Sequence, residues 1–325
     1  MGMSGFKFVT AGLALALLFP LSANAETAPA WPTRTIKLVV GFAPGGGVDI
    51  VARLVAQKMQ ESFGQNVIVE NRPGGNAMLG PDMVAKSAPD GYTLLYAAAG
   101  QMSVSPAIYS KIPYQPLKDF VPVSMIASYP LLLITSPNHP AANVQDLIAW
   151  TKANPDKTNY GAASAGFQLA TELFKIKTGA TGQVIVFRST NETVTNVIGE
   201  QVTYAFAEPP PTMPQVTAGK ARAVAVTAPR RIADLPDVPT LHDIGVNVDV
   251  RLWSGLFAPA GTPPEILKKL EAECMRIARL PDIRERLRAS SSDAVGNSSA
   301  DFAKEIDAEI RMWSDVARQA KLTFE

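Results

Sequence analysis

Ile36-Lys-Leu-Val-Val-Gly-Phe-Ala-Pro-Gly-Gly-Gly-Val-Asp49 is the stretch whose reading decides the fold. The branched apolar run from Ile36 to Val40 reads as a buried strand. Gly41 to Gly47 is a loop whose glycines tolerate positive φ and let another group approach the backbone. From Val48 onward, Ile50, Val51, Leu54, Val55, Met59 and Phe63 recur at helical spacing. A strand, a glycine loop and a helix start make a seat for an anion. Free N–H groups point outward, and the helix dipole favours a negative charge by roughly 0.3–1 kcal/mol, up to about 2 when partly buried.

The kind of anion is narrowed by what the loop lacks. A P-loop needs Lys and Ser or Thr after its glycines, and Val48-Asp49 stands there instead. A dinucleotide turn needs a third glycine for close helix packing, and Ile50 holds that place. Asp49 at the helix start would also repel a polyphosphate. A smaller anion fits better, with Asp49 capping N–H groups or holding a water. A plain strand-to-helix turn with no ligand is the alternative.

With 325 residues and 47% hydrophobic content, the chain can form one large or two medium domains. Thirty basic and 29 acidic residues are nearly balanced, with no basic block, which argues against nucleic acid as a partner. Residues 1–25 read as a secretory signal peptide: Lys7, an apolar Phe8–Leu21 too short to span a bilayer, then Ala23-Asn24-Ala25 as a cleavage site. The expected product is a soluble periplasmic protein starting at Glu26. The single cysteine, Cys274, cannot form an internal disulfide and reads as a small core residue. One cysteine and two histidines give no metal-ligand spacing, and no cofactor is expected.

Outward from the first loop, Val67–Glu70 and Thr93–Ala97 read as strands, and Met78–Lys86 as a helix. Their alternation predicts a parallel, doubly wound sheet. Ala98–Met102 then falls at a strand's carboxyl end, where open α/β sheets bind ligands, so Ala99 is a candidate contact. Pro113–Pro122 reads as a proline-rich surface segment. Val123–Thr135, broken at Tyr129-Pro130, reads as a crossing into a second lobe, and Leu252–Phe257 as the return. In that lobe, helices are expected at Val144–Lys152, Leu169–Lys177 and Val194–Ile198. Strands are expected at Asn159-Tyr160, Val184–Val186, Tyr204–Phe206 and Ala223–Thr227. Helices from Pro264 to Ala278 and from Asp301 to Gln319 close the chain. The expected architecture is α/β with two lobes joined by two crossover segments around a hinged cleft: residues 26–128 with 253–325, and residues 129–252.

The second-lobe counterpart of the glycine loop is Tyr160-Gly-Ala-Ala-Ser-Ala-Gly-Phe-Gln168. Ser164 and the N–H groups of Ala165 and Gly166 could bind the far end of a ligand. Ser164 approaches a nucleophile elbow, but Ala162 replaces the first glycine and neither His139 nor His242 sits in a catalytic frame. An exported serine hydrolase and a ligand-free scaffold remain as rivals. Arg188 could pair with a carboxylate in bidentate fashion. Glu208 in the cleft would disfavour a second carboxylate unless it met a hydroxyl or a cation. Phe42 and Phe167 are candidate apolar walls. Asn191-Glu-Thr193 and Asn297-Ser-Ser299 match glycosylation sequons by chance.

These motifs together resemble the Bug-type periplasmic solute-binding receptors of tripartite tricarboxylate transporters. The match runs from about Trp31 to Lys321. It rests on Trp31-Pro-Thr-Arg34, Val40-Gly-Phe-Ala-Pro-Gly-Gly-Gly-Val-Asp49, Val69-Glu-Asn-Arg-Pro-Gly-Gly75, Ala88-Pro-Asp-Gly-Tyr-Thr93, Asn159-Tyr-Gly161, Leu235-Pro-Asp-Val-Pro-Thr240 and Phe257-Ala-Pro-Ala-Gly-Thr-Pro263. The resemblance implies a two-domain Venus-flytrap (periplasmic-binding-protein) fold without catalytic activity. It implies a small organic acid as ligand, with Phe42, Gly45, Gly46, Gly47 and Asp49 holding one carboxylate. Delivery would be to membrane permease subunits, or to a periplasmic sensor domain, by a monomer. The departures lie in the second lobe. The loop after Gly161 is short, with Phe167-Gln168 near the family's helix-opening His, and Ala207 replaces a common Asp, with Glu208 behind it. Aromatic as well as aliphatic acids are therefore admitted as ligands.

Overall fold

A computed structural model describes residues 1–3, 5, 31–187 and 189–322. The signal peptide expected over residues 1–25 falls almost wholly outside the described residues, and so does Arg188. Strand β1 (Ile36–Val40) lies between its parallel neighbours β2 (Val67–Asn71) and β3 (Thr93–Ala98). Four of its five side chains are fully buried because both faces of the sheet are covered. Helix α1 (Gly47–Phe63) buries Ala52, Val55, Ala56 and Met59, and Gly64 ends it in the left-handed conformation. Its apolar stripe is rotated from the expected one: Ile50 is 54% exposed, because the small Ala52 and Ala56 face the sheet. Helix α2 (Leu79–Ala85) completes the first alternation.

After β3 the chain departs from the expected simple turn. Gly100–Val104 forms one π-helical turn and runs into α3 (Ser105–Ile108). Side chains hold this irregular backbone: Ser103 Oγ donates to Ala99 O, Ser105 Oγ to Gly100 O, and Tyr114 Oη to Gln101 O. The segment expected to lie on the surface alternates instead: Pro113, Gln115, Leu117 and Lys118 are exposed, while Tyr114, Pro116, Phe120 and Pro122 are buried. Tyr114 and Phe120 are each 2% exposed, flanking α4 (Pro116–Asp119).

The two crossings fall near the expected places. Strand β4 (Phe120–Pro130) belongs to a six-stranded sheet and β5 (Leu132–Thr135) to a five-stranded one. The second sheet is built with α5 (Val144–Ala153), β6 (Asn159–Ala162), α6 (Ala165–Thr178), β7 (Gln183–Val186), α7 (Thr190–Ile198), β8 (Tyr204–Ala207), α8 (Pro209–Thr217) and β9 (Arg222–Val226). Strand β10 (Arg251–Pro259) returns to the first sheet, followed by α9 (Pro264–Arg279), α10 (Pro281–Arg288), β11 (Asp293–Ala294) and α11 (Ser299–Ala320). The sheet orders are β11-β4-β10-β3-β1-β2 and β7-β6-β8-β5-β9. Pairing of β10 with β4 reaches Arg251 and Pro130, and shifts register between Ser254 and Gly255. A Cβ at Gly255 would stand 2.7 Å from Ser124 O and 2.8 Å from the Phe302 ring, so that irregularity needs glycine.

Helix α11 ties the two lobes a third time. Its Phe302 and Ile306 pack in the first-lobe core with Trp253 and Phe257. Trp313, Val316 and Ala317 pack in the second-lobe core with Leu169 and Phe174. Between these two sets lies Glu309, whose carboxyl accepts the Trp253 indole N–H at 2.9 Å to both oxygens. Burial pushes its pKa up to about 7, against the lowering effect of bonds from Ser103 and Trp253; Glu305 adds repulsion and Arg251 some relief. The sign follows directly. Below the ordinary value of 4.5 both folded and unfolded chains hold the proton and Glu309 costs nothing. As pH rises toward 7 and above, only the folded chain resists losing it, so stability falls by on the order of 1–3 kcal/mol. Glu309→Gln should therefore stabilise the protein at pH 8 and change little at pH 4 in urea unfolding. Equal effects at both pH values would contradict the assignment.

Candidate functional site

The loops that follow β1, β2 and β3 share one end of the first sheet, because those strands are parallel. Those that follow β6, β7 and β8 share one end of the second, where β6 is parallel to both neighbours. The two ends come together at the start of α6. A Cβ on Gly166 would lie 3.8 Å from Leu252 Cδ2 of β10 and 3.9 Å from Val104 Cγ2 of the π turn. The second-lobe loop thus abuts β10 and the π turn after β3, and the first-lobe glycine loop, which follows β1, lies at the same end of the sheet as that turn.

On the first-lobe side, Gly45 has φ +85° and Gly46 is the N-cap of α1 with no side-chain cap. Glycine is required at 45 because an L side chain is strained there. Asp49, 2% exposed, does not point at a ligand. Its Oδ2 accepts Gly45 N and Arg53 Nε, each at 2.9 Å, and its Oδ1 accepts Asn71 Nδ2 at 2.8 Å. Asn71 Nδ2 also donates to Phe42 O at 3.0 Å, and Arg53 Nη2 donates to Asn71 Oδ1 at 2.9 Å. Burial alone would raise the Asp49 pKa, but the bonds from Arg53, Gly45 and Asn71 outweigh it and hold the carboxyl below its ordinary range. The charge that would repel an anion is thus compensated from behind, and the first N–H groups of α1 receive no side-chain cap.

The loop is braced from below. A Cβ at Gly41 would collide with Gln101 Nε2 and stand 2.7 Å from Ala77 O, and one at Gly80 would stand 2.9 Å from Gly41 Cα. The close approach that a dinucleotide turn assigns to its third glycine is here made by Gly41 against Gly80. Gln101, 1% exposed, accepts Ala98 N and donates to Ala77 O at 2.7 Å. Asn71, Arg53 and Gln101 were not among the residues expected from sequence. Asn71 was nonetheless visible as the centre of Val69-Glu-Asn-Arg-Pro-Gly-Gly75.

On the second-lobe side, Ser164 is an exposed N-cap in extended conformation whose hydroxyl makes no cap bond. The start of α6, with Ala165 and Gly166, is therefore as uncapped as that of α1. Three expected contacts change in character. The Phe167 ring is 6% exposed and packs in the second-lobe core, so it offers little wall to a ligand. Phe42 is half-buried against the first-lobe core. Ala99 is 1% exposed and its carbonyl is taken by Ser103, so its methyl presents no surface. Glu208 sits at the carboxyl end of β8 as the N-cap of α8, and Arg188 lies outside the described residues.

The hydrolase alternative loses its base. His139 Nδ1 accepts Ala141 N at 3.1 Å while its ring packs edge-on to Trp150, and His242 lies in a short 3₁₀ turn. Cys274 is fully buried and burial pushes its thiol far up. Asn297 has a structural role in this fold, its Oδ1 accepting Met125 N at 2.8 Å. Among the described residues no group of three or more His, Cys, Asp or Glu could hold a metal, and no helix is long and apolar enough to cross a membrane. Two adjoining cavities of about 450 and 770 Å³ open between α8 and α10, lined by Met213, Thr217, Ala289 and Ser291. They touch none of the candidate residues, and the larger one sets Arg284 and Arg288 beside Asp234 and Glu285.

Two substitutions test this geometry. Asp49→Ala frees Gly45 N and unpairs Arg53, and should weaken every carboxylate ligand by about tenfold in calorimetry, the equivalent of one charge-assisted hydrogen bond. Gly41→Ala should lower stability by about 1–3 kcal/mol in thermal unfolding, through overpacking against Ala77 O.

The description "Tripartite tricarboxylate transporter family receptor" matches residues 51–322. Protein BugT of Bordetella pertussis is 33% identical over 97% of this chain and 95% of its own length. Among solved structures, Rpa4515 of R. palustris with adipate superposes with TM-score 0.81 at 31% identity, covering 90% of this chain and 99% of that one. MatC from Rhodopseudomonas palustris with bound malate gives 0.77 at 31% identity, over 88% and 99%. The matched sequence motifs, the paired sheets and these likenesses agree: this chain belongs to the tripartite tricarboxylate transporter family receptors, as a two-lobed solute-binding receptor rather than an enzyme.

Proposed function

We propose that this receptor is exported to the periplasm with residues 1–25 removed, captures a small carboxylate between its lobes, and passes it to a membrane permease. The observation that carries this reading is the pair of uncapped helix starts, α1 after Gly46 at the ligand-binding end of the first sheet and α6 after Ser164, whose Gly166 abuts the first lobe at Leu252 and Val104. Main-chain donors of this kind suit a carboxylate and demand no chemistry of it. Adipate in Rpa4515 and malate in MatC support the ligand class.

In this reading the N–H groups of Gly46 and Gly47 and the Phe42 backbone seat one carboxylate, while Gly45, its own N–H taken by Asp49, shapes the loop. Ser164, Ala165, Gly166 and the N–H of Phe167 approach the other end. Two side chains compete for the character of that end: Arg188 would favour a second acid, and Glu208 a donor. The lobes follow the expected division, residues 26–128 with 253–325 and residues 129–252, except that Tyr129, Pro130, Arg251 and Leu252 belong to the first sheet as the ends of β4 and β10; the hinge lies where β4 passes into β5 and β9 returns to β10. The receptor acts as a monomer, with a permease or a periplasmic sensor domain as partner.

A thermal-shift screen of aliphatic and aromatic acids tests the reading. A ligand at about 100 times its dissociation constant adds roughly 2.7 kcal/mol and raises the melting temperature by several degrees. No shift from any carboxylate, with shifts from sugars or cations instead, would contradict it.

A further inference from the structure

An acid-binding cradle does not account for the carboxylate at its far end. Glu208 does not cap its own helix, although it occupies the N-cap of α8. Its Oε1 accepts Thr190 Oγ1 at 3.1 Å, and its carboxyl also accepts the Tyr129 hydroxyl. Thr190 opens α7 in the second lobe and is 7% exposed. Tyr129 lies one residue from the end of β4, in the first-lobe sheet, directly across from Leu252. Leu252 is in turn the side chain beside Gly166 at the start of α6. Glu208 is therefore approached from both lobes, through Thr190 of α7 and through Tyr129, whose cross-strand neighbour Leu252 borders the start of α6.

Both grips are neutral hydroxyls, and among the described residues no cation pairs with this carboxylate. Burial pushes its pKa above the ordinary range, with Thr190 and Tyr129 opposing. Burial, with Glu208 beside it, pushes the Tyr129 hydroxyl well up, so Tyr129 keeps its proton and remains a donor. A carboxylate has about four acceptor positions, and two partners leave capacity for a third. A second carboxylate within about 4–6 Å would be repelled, whereas a hydroxyl or an ammonium would be bound.

Resting on the receptor reading above, we propose that Glu208 makes the far end of the site select a hydrogen-bond donor, so that the preferred ligands are small carboxylates bearing a hydroxyl or ammonium group rather than a second acid. A site built around a buried acceptor penalises the analogue that lacks the donor, because the acceptor is then left unpaired. Tyr129 and Thr190 are positioning residues here: they hold the carboxylate at the crevice.

The test is calorimetry of the secreted protein with chain-matched sets of four to six carbons. Each set comprises the unsubstituted monocarboxylate, its ω-hydroxy and ω-amino derivatives, and the dicarboxylate. The expected result is that, in the best-fitting set, a donor-bearing acid binds at least tenfold more tightly than both the unsubstituted acid and the diacid. Glu208→Ala should bring those affinities within about twofold of one another. Glu208→Gln, close to isosteric, covers the case in which the alanine variant does not fold. Glu208→Gln should abolish a preference for the amino acid and reduce a preference for the hydroxy acid several-fold, because an amide oxygen is a weaker acceptor than a carboxylate. Tightest binding of the diacid, or a donor preference untouched by both variants, overturns the proposal while leaving the receptor reading intact. If no acid of any set binds the wild-type protein, the receptor reading itself fails.

Discussion

The structure depends on where Asp49 spends its charge. An acidic residue in the first turn of a helix ordinarily satisfies that helix's own N–H groups. Asp49 instead turns back to Gly45 N and is matched by Asn71 and Arg53. The glycine loop is thereby fixed with its donors outward, and a negative charge stands at the helix start without repelling another. Asn71 closes the arrangement by donating to Phe42 O, which joins the end of β2 to the loop after β1. Five residues, Phe42, Gly45, Asp49, Arg53 and Asn71, thus tie the loop after β1 to the end of β2 and the first turns of α1.

The other half reaches this one through the hinge. Strands β4 and β10 run long and antiparallel through the centre of the first sheet and carry the chain to and from the second. Closure by such a pair needs few residues to change conformation. Helix α11 complicates the simple picture, since its two ends are packed in different cores. Any change in the angle between lobes must be absorbed along that helix, near Glu309 and the π turn it packs against. The irregular backbone at Gly100–Val104 is held by side-chain bonds from Ser103, Ser105 and Tyr114. An irregular helix next to a ligand crevice is a recurrent arrangement in proteins.

Much of this was legible in the sequence because period and punctuation agreed. Ile36–Val40, the glycine run and the apolar helix behind it gave strand, loop and helix with ends that differ by a residue or so from those observed. The break at Tyr129-Pro130 marked the crossing into the second sheet. What escaped notice did so for physical reasons. Helix α8, Pro209-Pro-Pro-Thr-Met-Pro-Gln-Val-Thr217, carries four prolines, three at its start where a missing N–H is harmless and one inside. Helix α10 follows α9 with only Leu280 between them, and β11 is two residues long. In the site, the positions of the glycines were readable, but the direction of a side chain was not. Phe167 sits on a loop-to-helix boundary yet turns into the core, and of the partners of Asp49 only Arg53, four residues on along the same helix, was within reach of a local pattern, whereas Asn71 comes from the neighbouring strand.

The central claim is that main-chain donors at two helix starts hold the ligand. Backbone amide chemical shifts during titration with a carboxylate that binds test it most directly. The account predicts the largest, jointly saturating shifts at Gly46, Gly47, Ala165 and Gly166. Shifts concentrated instead at Met213, Thr217, Ala289 and Ser291, in the groove between α8 and α10, would contradict it.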